Sequence, residues 1–419
     1  MSNILIAQSG GPTSAINASL SGVLSMFLKG RDYGKIYGSR YGITGIFTGE
    51  ILDLGEIFDS GDKIERLKLS PSMFLGSCRY KLPDWGSDQH TEIAGVKMTA
   101  KEAYGKIMDF FHEYDIKTFF YVGGNDSMDT VLKLSEYVRE NHEDISVIGI
   151  PKTIDNDLPK IDHTPGFGSA AKYVATSILE IAYDTSIYRI PSVTIVEIMG
   201  RDAGWLTAAS VLARRFQEAP DLIYLPEVPF YNERFLEDVR LKLNEKRNVI
   251  VAVSEGIKDK DGKYISENDS VKDRFGHGML SGAGRYLENL VKEKLGIKVR
   301  SVEINILQRC AGHLTSKTDL DEAAILGETA YRAGLNRENG VMASLRRVSG
   351  KNSYEIEYYT EDIRGIANEV RNIPENWINE RGNDVKGEML DYLKPLIRGE
   401  NRIEFTDGLP HYQELLKNI

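Results

Sequence analysis

The chain has 419 residues, of which 41% are hydrophobic and 27% are charged, and its formal net charge is −10 at pH 7. That length predicts at least two domains, and the net negative charge argues against nucleic acid as the main partner because phosphate backbones are bound by basic surfaces. No apolar run approaches the roughly 18 residues of a membrane-spanning helix, and no signal peptide is recognisable. We therefore expect a globular protein of the cytoplasm that does not bind membranes.

Strand-like and helix-like segments alternate along the chain. NILIAQSGG precedes AINASLSGVLSMFL, TFFYVGG precedes MDTVLKLSEYVRE, and ISVIGIPKT precedes GSAAKYVATSILEIAY; the pattern restarts after about residue 190 with SVTIVEIMG and NVIVAVSEG. Continuous apolar strands followed by amphipathic helices are typical of parallel sheets covered on both faces. The sequence therefore predicts an α/β fold of two Rossmann-like lobes, with ligands bound at the carboxyl ends of the strands.

Glycine-rich turns follow two of the predicted strands. In SGGPTSAIN, residues 9–17, the glycines allow backbone N–H groups to approach an anion at a helix N-terminus, although a purely structural turn would look the same. In GGNDS, residues 123–127, Asn125, Asp126 and Ser127 fall where a helix begins, so N-capping is the alternative to ligand binding. Neither turn matches the GxGxxG dinucleotide motif or the Walker phosphate-binding loop.

A denser polar segment, PKTIDNDLP, covers residues 151–159. Residues two apart in an extended segment point to the same side, so the carboxylates of Asp155 and Asp157 can face one substrate. One ionised carboxylate can accept a proton from a hydroxyl, and the other can hold a sugar hydroxyl or a metal. Lys152 beside them can neutralise phosphate charge, and we therefore predict a functional site here.

Further candidate residues follow other predicted strands. Met199, Gly200 and Arg201 stand at the end of the strand in EIMGRDAGWL, and this position favours a functional role over the core and surface roles that such residues usually have. The remaining candidates are Arg79, Glu255, Arg300 and Arg309. Taken singly, each of these is more often a structural or solvent-exposed residue than a functional one.

Taken in order, these motifs resemble those of a known family. GGPTSAIN, FLGSCR, GGNDS, PKTIDND, EIMGR, VSEG and LQR follow one another up to about residue 309 in the order typical of the phosphofructokinase family, and TIDND followed by MGR is highly specific. In detail the chain resembles the pyrophosphate-dependent branch. The resemblance implies reversible phosphoryl transfer from pyrophosphate to the 1-hydroxyl of fructose 6-phosphate, with Mg²⁺ as cofactor.

The resemblance also implies roles for individual residues. Asp155 matches the base that takes the proton from the sugar 1-hydroxyl, Gly11 matches the phosphate-donor loop, and Arg79 matches a residue that bridges the two phosphate sites. Arg300 matches an arginine that relatives lend across a subunit interface, which implies a homodimer or a larger homo-oligomer. The positions that match ligands of fructose 6-phosphate are Thr153, Asp157, Met199, Gly200, Arg201, Glu255 and Arg309.

Donor choice, according to the resemblance, depends on two positions. ATP-using relatives have glycine where this chain has Asp126 and Lys152. Asp126 would fill the space of the nucleotide α-phosphate, whereas Lys152 supplies a cation suited to pyrophosphate. Asn125 stands where the family more often has an aspartate that helps to bind Mg²⁺, so the implied metal ligands are Asn125 and Asp126, with Asp126 or water taking over the part of the missing aspartate.

We predict three regions. Residues 1–160, with part of 305–335, form the lobe that binds the phosphoryl donor, residues 161–304 form the lobe that binds fructose 6-phosphate, and residues 336–419 form an α+β C-terminal extension that decorates the core.

Three alternative functions remain. An ATP-dependent enzyme of the same fold is the first. A non-catalytic sugar-phosphate sensor is a more distant one, which the retention of Asp155 and Asp157 disfavours. A nicotinamide-dependent dehydrogenase is disfavoured by the missing GxGxxG motif.

Overall fold

Strands and helices alternate along most of the chain in the computed structural model, which describes residues 1–30, 32–265, 267–272, 278–280, 282–348 and 353–414, with only the backbone described for 267–272 and 278–280. The strands are β1 Asn3–Gln8, β2 Ile36–Ser39, β3 Ile51–Asp53, β4 His90–Ile93, β5 Val96–Thr99, β6 Ile116–Gly123, β7 Ser146–Pro151, β8 Ser192–Ile198, β9 Leu222–Tyr224, β10 Asn248–Ser254, β11 Glu267–Lys272, β12 Gly278–Leu280, β13 Lys298–Glu303, β14 Val341–Arg347, β15 Ile356–Asp362, β16 Phe405–Thr406 and β17 Leu409–Pro410. The α-helices are α1 Ile16–Gly30, α2 Thr44–Thr48, α3 Leu54–Ile57, α4 Gly61–Lys68, α5 Ala100–Glu113, α6 Asn125–Glu140, α7 Phe167–Ser186, α8 Trp205–Ala208, α9 Asn232–Glu245, α10 Ala283–Leu295, α11 Leu307–Cys310, α12 Lys317–Leu335 and α13 Gly387–Leu393.

The first large sheet has seven strands in the order β15-β14-β7-β6-β1-β2-β3. The inner strands run parallel, whereas β3 and β15 at the two edges are antiparallel to their neighbours. The strands β1, β6 and β7 are buried along nearly their whole length. Their burial on both faces explains why they appear in the sequence as almost continuous apolar runs.

The second sheet has four parallel strands in the order β13-β8-β10-β9. Its strands β8 and β10 are also buried along nearly their whole length, and helix α7 packs against the sheet. The predicted α/β fold is confirmed, with one mainly parallel and one wholly parallel sheet.

Helices α1 and α12 pack closely at glycine positions beside the first sheet. A Cβ on Gly22 would lie 1.9 Å from the carbonyl oxygen of Ala324, and a Cβ on Gly327 would lie 2.1 Å from the carbonyl oxygen of Ser19. No larger residue fits at either position without moving one helix away from the other. This contact holds α12, which follows the second sheet in sequence, against the first lobe.

The C-terminal region contributes to both lobes. Strands β14 and β15 extend the first sheet, whereas Met389 and Leu393 of α13 and the following Leu396 are buried in the core around the second sheet. The region combines strands and helices, but it does not merely decorate the core as predicted, because its segments are built into both cores. None of the helices in the described ranges combines the length and the apolar character that crossing a membrane requires.

Candidate active site

A cavity of about 450 Å³ opens where the strands of both sheets end. Strands β1, β6 and β7 of the first sheet are in parallel register and lead into three of its walls, and β8 of the second sheet leads into a fourth. The lining residues are Gly10, Gly11, Pro12, Thr13, Gly124, Asn125, Asp126, Ser127, Lys152, Thr153, Ile154, Asp155, Asp157, Met199, Asp202, Arg309, Asn368 and Val370. The carboxyl ends of parallel strands meet at one edge of a sheet, so residues distant in sequence gather here.

Two cations face the glycine turn that follows β1. Lys152 is only 2% exposed, and its Nζ donates a hydrogen bond to the Gly11 carbonyl oxygen at 2.7 Å. The same Nζ lies 3.2 Å from the position that a Cβ on Gly10 would take, and Nη1 of Arg309 lies 3.5 Å from the corresponding position at Gly11. Burial lowers the pKa of Lys152 to about 8, although neighbouring carboxylates oppose that shift. The turn therefore has the positive charge that a phosphate group needs.

The loop after β7 carries two carboxylates into the cavity. Asp155 Oδ2 accepts a hydrogen bond from Thr153 Oγ1 at 3.3 Å, and the same hydroxyl accepts one from the Asp155 backbone N–H at 3.1 Å. Burial raises the pKa of Asp155, and burial together with the charge of Asp155 raises the pKa of Asp157 to about 7. A carboxylate with a raised pKa is a better acceptor for the proton of a hydroxyl.

Helix α6 begins at Asn125 without a side-chain cap, and its N-cap residue is Gly124. The N-capping alternative for Asn125, Asp126 and Ser127 is therefore wrong. Ser127 instead forms a hydroxyl–hydroxyl hydrogen bond of 2.8 Å with Ser9, which joins the turn after β6 to the turn after β1.

The two residues that open α6 have different partners. Asp126, whose side chain is 65% exposed, lies with its Oδ1 2.9 Å from Lys81 Nζ. The Asn125 amide is held by the C-terminal region, because its Nδ2 donates to the Glu369 carbonyl oxygen and its Oδ1 accepts from the Asn368 backbone N–H, both at 2.6 Å. The carboxylate of Asp126 is therefore more accessible from the cavity than the amide of Asn125.

The second sheet contributes residues that follow β8 and β10. Met199 lines the cavity, and the next residue, Gly200, has φ +141° and donates its backbone N–H to Glu255 Oε1 at 3.2 Å. Burial raises the pKa of Glu255 to about 7, and the charge of Asp155 contributes to the increase. Arg201 also affects the Glu255 carboxylate electrostatically, so Glu255 is close enough to be influenced by both Arg201 and Asp155, although Gly200, Arg201 and Glu255 do not themselves line the cavity.

Arg79 and Arg300 are exposed and do not line the cavity. Arg79 follows Cys78, whose carbonyl oxygen accepts a hydrogen bond from the Gly10 N–H at 3.3 Å, so the backbone of Arg79 lies near the Gly10–Gly11 turn. Arg300 lies on the edge strand β13, opposite the middle of β8, with its Nη1 3.9 Å from Asp184 Oδ2. Within one chain Arg300 is therefore separate from the other predicted site residues.

The structure adds residues that the sequence motifs did not indicate. Lys81 lies two positions after Arg79, and this spacing could have suggested a shared side of an extended segment. Asp202 directly follows Arg201. Asn368 and Val370 belong to no motif, and no local pattern connects them with the cavity.

The residues of the cavity suit a metal ion that is bound partly by the protein and partly by the phosphate oxygens of a substrate. Across the described residues, no three His, Cys, Asp or Glu side chains gather into a group that could hold a metal ion. Mg²⁺ usually keeps several waters and binds through one or two carboxylates together with substrate phosphates. The exposed carboxylate of Asp126 lines the same cavity as the Gly10–Gly11 turn and its two cations, and it fits that manner of binding.

Comparison with known proteins identifies the family. The model for the family described as phosphofructokinase matches residues 3–333. The chain belongs to the phosphofructokinase family. Two pyrophosphate–fructose 6-phosphate 1-phosphotransferases are among its phosphofructokinase relatives: that of Halomonas elongata is 36% identical over 99% of this chain and 96% of its own length, and that of Methylococcus capsulatus is 37% identical over the same shares.

The fold of the family is confirmed by a solved structure. A pyrophosphate-dependent phosphofructokinase from Nitrosospira multiformis matches with a TM-score of 0.85 and 35% identity, and the match covers 98% of this chain and 96% of that one. A relative with a different activity in its name, the sulfofructose kinase of Alkalicoccus urumqiensis, is 33% identical over 90% of this chain and 92% of its own length.

Proposed function

We propose that this phosphofructokinase-family chain transfers a phosphoryl group reversibly between pyrophosphate and the 1-hydroxyl of fructose 6-phosphate. The products of the forward reaction are fructose 1,6-bisphosphate and phosphate. The observation that carries the proposal is that Lys152 and Arg309 face the Gly10–Gly11 turn in the same cavity as Asp155. The two pyrophosphate–fructose 6-phosphate 1-phosphotransferases that match over nearly the whole chain support the same reaction.

The residues at the phosphoryl-donor end of the site suit pyrophosphate rather than a nucleotide. Lys152, Arg309 and the backbone of Gly11 bind the phosphates, and Arg79 bridges the donor and the sugar phosphate during transfer. Phosphoryl transfer depends mainly on positioning and on neutralising charge, so a buried lysine and a half-buried arginine at a glycine turn are the appropriate groups. Asp126 excludes the α-phosphate of a nucleotide, and its exposed position in the cavity wall supports that role.

At the acceptor end, Asp155 acts as the base. The 1-hydroxyl oxygen attacks the terminal phosphorus, its proton passes to the Asp155 carboxylate, and the bond to the leaving phosphate breaks. The raised pKa of Asp155 supports this role because burial strengthens the carboxylate as a base. The sugar phosphate is held by Thr153, Asp157, Met199, Gly200, Arg201, Glu255 and Arg309.

We propose Mg²⁺ as the divalent metal, with Asp126 as its main protein ligand and Asn125 beside it. When bound, the ion neutralises phosphate charge as the phosphoryl group moves. Lys152 and Arg309, which face the Gly10–Gly11 turn, neutralise charge on the donor as well. Asp155 accepts its proton from the hydroxyl directly.

A comparison of donors and acceptors tests the function. Purified protein is assayed with pyrophosphate or ATP as donor and with fructose 6-phosphate or sulfofructose as acceptor. We expect turnover with pyrophosphate and fructose 6-phosphate. Turnover with ATP and none with pyrophosphate would instead identify the ATP-dependent enzyme, and a loss of turnover with every donor would identify a non-catalytic sensor.

We also propose that the chain works as a homo-oligomer to which Arg300 contributes across the interface. Tyr183, Ile187 and Ile190 are 55%, 71% and 62% exposed, and they lie within six residues in sequence of Asp184, which pairs with Arg300. Exposed apolar side chains grouped beside a charged residue are typical of a subunit contact. Sedimentation of the native chain and of Ile187→Asp tests this, and a monomeric native chain would contradict it. The cytoplasmic location stays a prediction from the composition.

A further inference from the structure

A short segment of the C-terminal region crosses from one lobe to the other beside the active site. Ile366 and Ala367 are buried in the core around the first sheet, and Ile373 is buried in the core around the second. Between these anchors, Asn368 and Val370 line the active-site cavity. We call residues 368–372 the strap.

The strap is bound to the first lobe at the start of α6. The Asn125 amide forms hydrogen bonds of 2.6 Å with the backbone of both Asn368 and Glu369. Asn368, which has φ +63°, also donates from Nδ2 to Asp129 Oδ1 at 2.8 Å. Asparagine tolerates this left-handed conformation better than most residues, so the strap can turn here into the cavity wall.

In its middle the strap holds the loop that carries the two carboxylates. The Arg371 backbone N–H donates to the Asp157 carbonyl oxygen at 2.7 Å, and its Nη2 donates to the Asn156 carbonyl oxygen at 2.8 Å. Nη1 of Arg371 donates to the carbonyl oxygens of Ile161 and Asp162, both at 2.6 Å. One guanidinium therefore bonds three carbonyl groups of a loop whose Asn156 itself has φ +54°.

At its far end the strap reaches the second lobe. Trp205 Nε1 donates to the Arg371 carbonyl oxygen at 2.9 Å, and the Arg371 guanidinium lies 4.8 Å from the centre of the Trp205 ring system. Glu227 Oε1 accepts from the backbone N–H groups of Ile373 at 3.2 Å and of Gly204 at 2.8 Å. Gly204 and Trp205 directly follow the turn with Arg201.

We propose that the strap sets the positions of the Asp155 and Asp157 carboxylates relative to the second lobe, with Arg371 as the positioning residue. The inference rests on the proposed phosphoryl transfer. Arg371 contacts the backbone of the catalytic loop and Trp205 of the sugar-binding side, so it ties together two groups that must meet the same substrate. A displacement of about 1 Å at a reacting group can cost on the order of 100-fold in rate.

The test compares Arg371→Ala and Arg371→Lys with the native chain. We expect Arg371→Ala to lower kcat on the order of 100-fold. The KM for pyrophosphate should change less than about threefold, because Arg371 does not touch the Gly10–Gly11 turn. Free guanidinium ion, or the Arg371→Lys change, should restore part of the rate. Arg364→Ala is the matched control: Arg364 is 63% exposed and pairs locally with Asp362, so its kcat should stay unchanged.

Backbone hydrogen exchange gives a readout that does not depend on turnover. In Arg371→Ala, exchange should become faster in residues 153–163 but not in β1. Unchanged kcat together with unchanged exchange in residues 153–163 would overturn the proposal. Faster exchange throughout the chain without rescue by guanidinium would also overturn it, because this result would indicate a general loss of stability. If Arg371→Ala does not fold, Arg371→Lys decides by the same two measurements. A native chain without pyrophosphate activity would refute the proposed function, whereas the exchange result would still report on the strap.

Discussion

Lys81 Nζ lies 2.9 Å from Asp126 Oδ1, and Asp126 lines the candidate active-site cavity. Both side chains are more than half exposed, so the pair adds little to the stability of the fold. Its effect is on the local charge. In the proposed function, Asp126 occupies space that a nucleotide would need, and we propose that Lys81 offsets the negative charge that would otherwise repel pyrophosphate.

We predict that Lys81→Ala weakens pyrophosphate binding. Without Lys81 the charge of Asp126 is no longer offset, so the KM for pyrophosphate should rise about fivefold, which corresponds to roughly 1 kcal/mol. The increase should shrink at high salt because the groups are exposed. Steady-state kinetics at two ionic strengths measure it, with Lys63→Ala, which breaks a comparably exposed pair with Asp59, as the control. An equal effect of both variants would contradict the prediction.

The double change Asp126→Gly and Lys152→Gly should shift donor preference toward ATP. It removes one side chain from the cavity wall and the buried cation at the glycine turn, so it opens space for an α-phosphate and weakens the site for pyrophosphate. We expect the ratio of kcat/KM for ATP to that for pyrophosphate to increase at least about tenfold, or roughly 1.4 kcal/mol. Glu140→Gly at the opposite end of α6 is the control. No gain in turnover with ATP would refute the steric explanation.

Asp155→Ala should slow the chemical step and leave sugar binding almost unchanged. General base catalysis contributes roughly 10²- to 10⁴-fold, so kcat should fall within that range. Titration of fructose 6-phosphate by calorimetry should show an affinity close to that of the native chain. Asp144→Ala removes a carboxylate that pairs with Arg337 on the surface, and it should leave kcat unchanged. Near-normal turnover in Asp155→Ala would exclude Asp155 as the base.

The KM for pyrophosphate should rise as the pH increases through about 8. Burial lowers the pKa of Lys152 to about 8, so its ammonium is charged below that pH and becomes neutral above it. The neutral amine no longer attracts pyrophosphate. Kinetics between pH 6.5 and 9.5 test this, and Lys152→Met, which cannot titrate, corrects for the ionisation of pyrophosphate itself. The same pH dependence in both proteins would show that Lys152 is not responsible.

Asp157→Asn should make the free protein more stable and less active. Burial and the charge of Asp155 raise the pKa of Asp157 in the folded state to about 7, above its ordinary value of 3.8. Its favourable contribution is complete below the ordinary value and is lost as the pH rises through about 7. Asparagine avoids that loss, so the free energy of unfolding should increase by up to roughly 4 kcal/mol at pH 8, since one pKa unit corresponds to about 1.4 kcal/mol and the pKa rises from 3.8 to about 7.

Thermal unfolding at pH 5 and pH 8 measures the Asp157→Asn effect. The Tm difference between variant and native chain should be larger at pH 8 than at pH 5, because pH 5 lies between the two pKa values of Asp157 and only part of the loss has occurred there. A lower Tm for the variant at pH 8 would show that the Asp157 carboxylate stabilises the fold, contrary to the prediction.

The sequence by itself determined the two parallel sheets and the composition of most of the cavity. Buried parallel strands are nearly uniform apolar runs, and a polar turn directly after such a run must lie at the carboxyl edge of the sheet. For this reason Gly11, Lys152, Asp155 and Met199 could be placed together before any contact was known.

Only the tertiary structure decided how those residues are held. The start of α6 was compatible with side-chain capping, but Gly124 is the N-cap, and the polar side chains there bond to other segments. Arg371 lies 215 residues from Asn156, whose carbonyl oxygen it contacts. A bond between a side chain and a distant carbonyl leaves no periodicity or spacing in the sequence, because every residue offers the same carbonyl and only the folded chain selects which one is near.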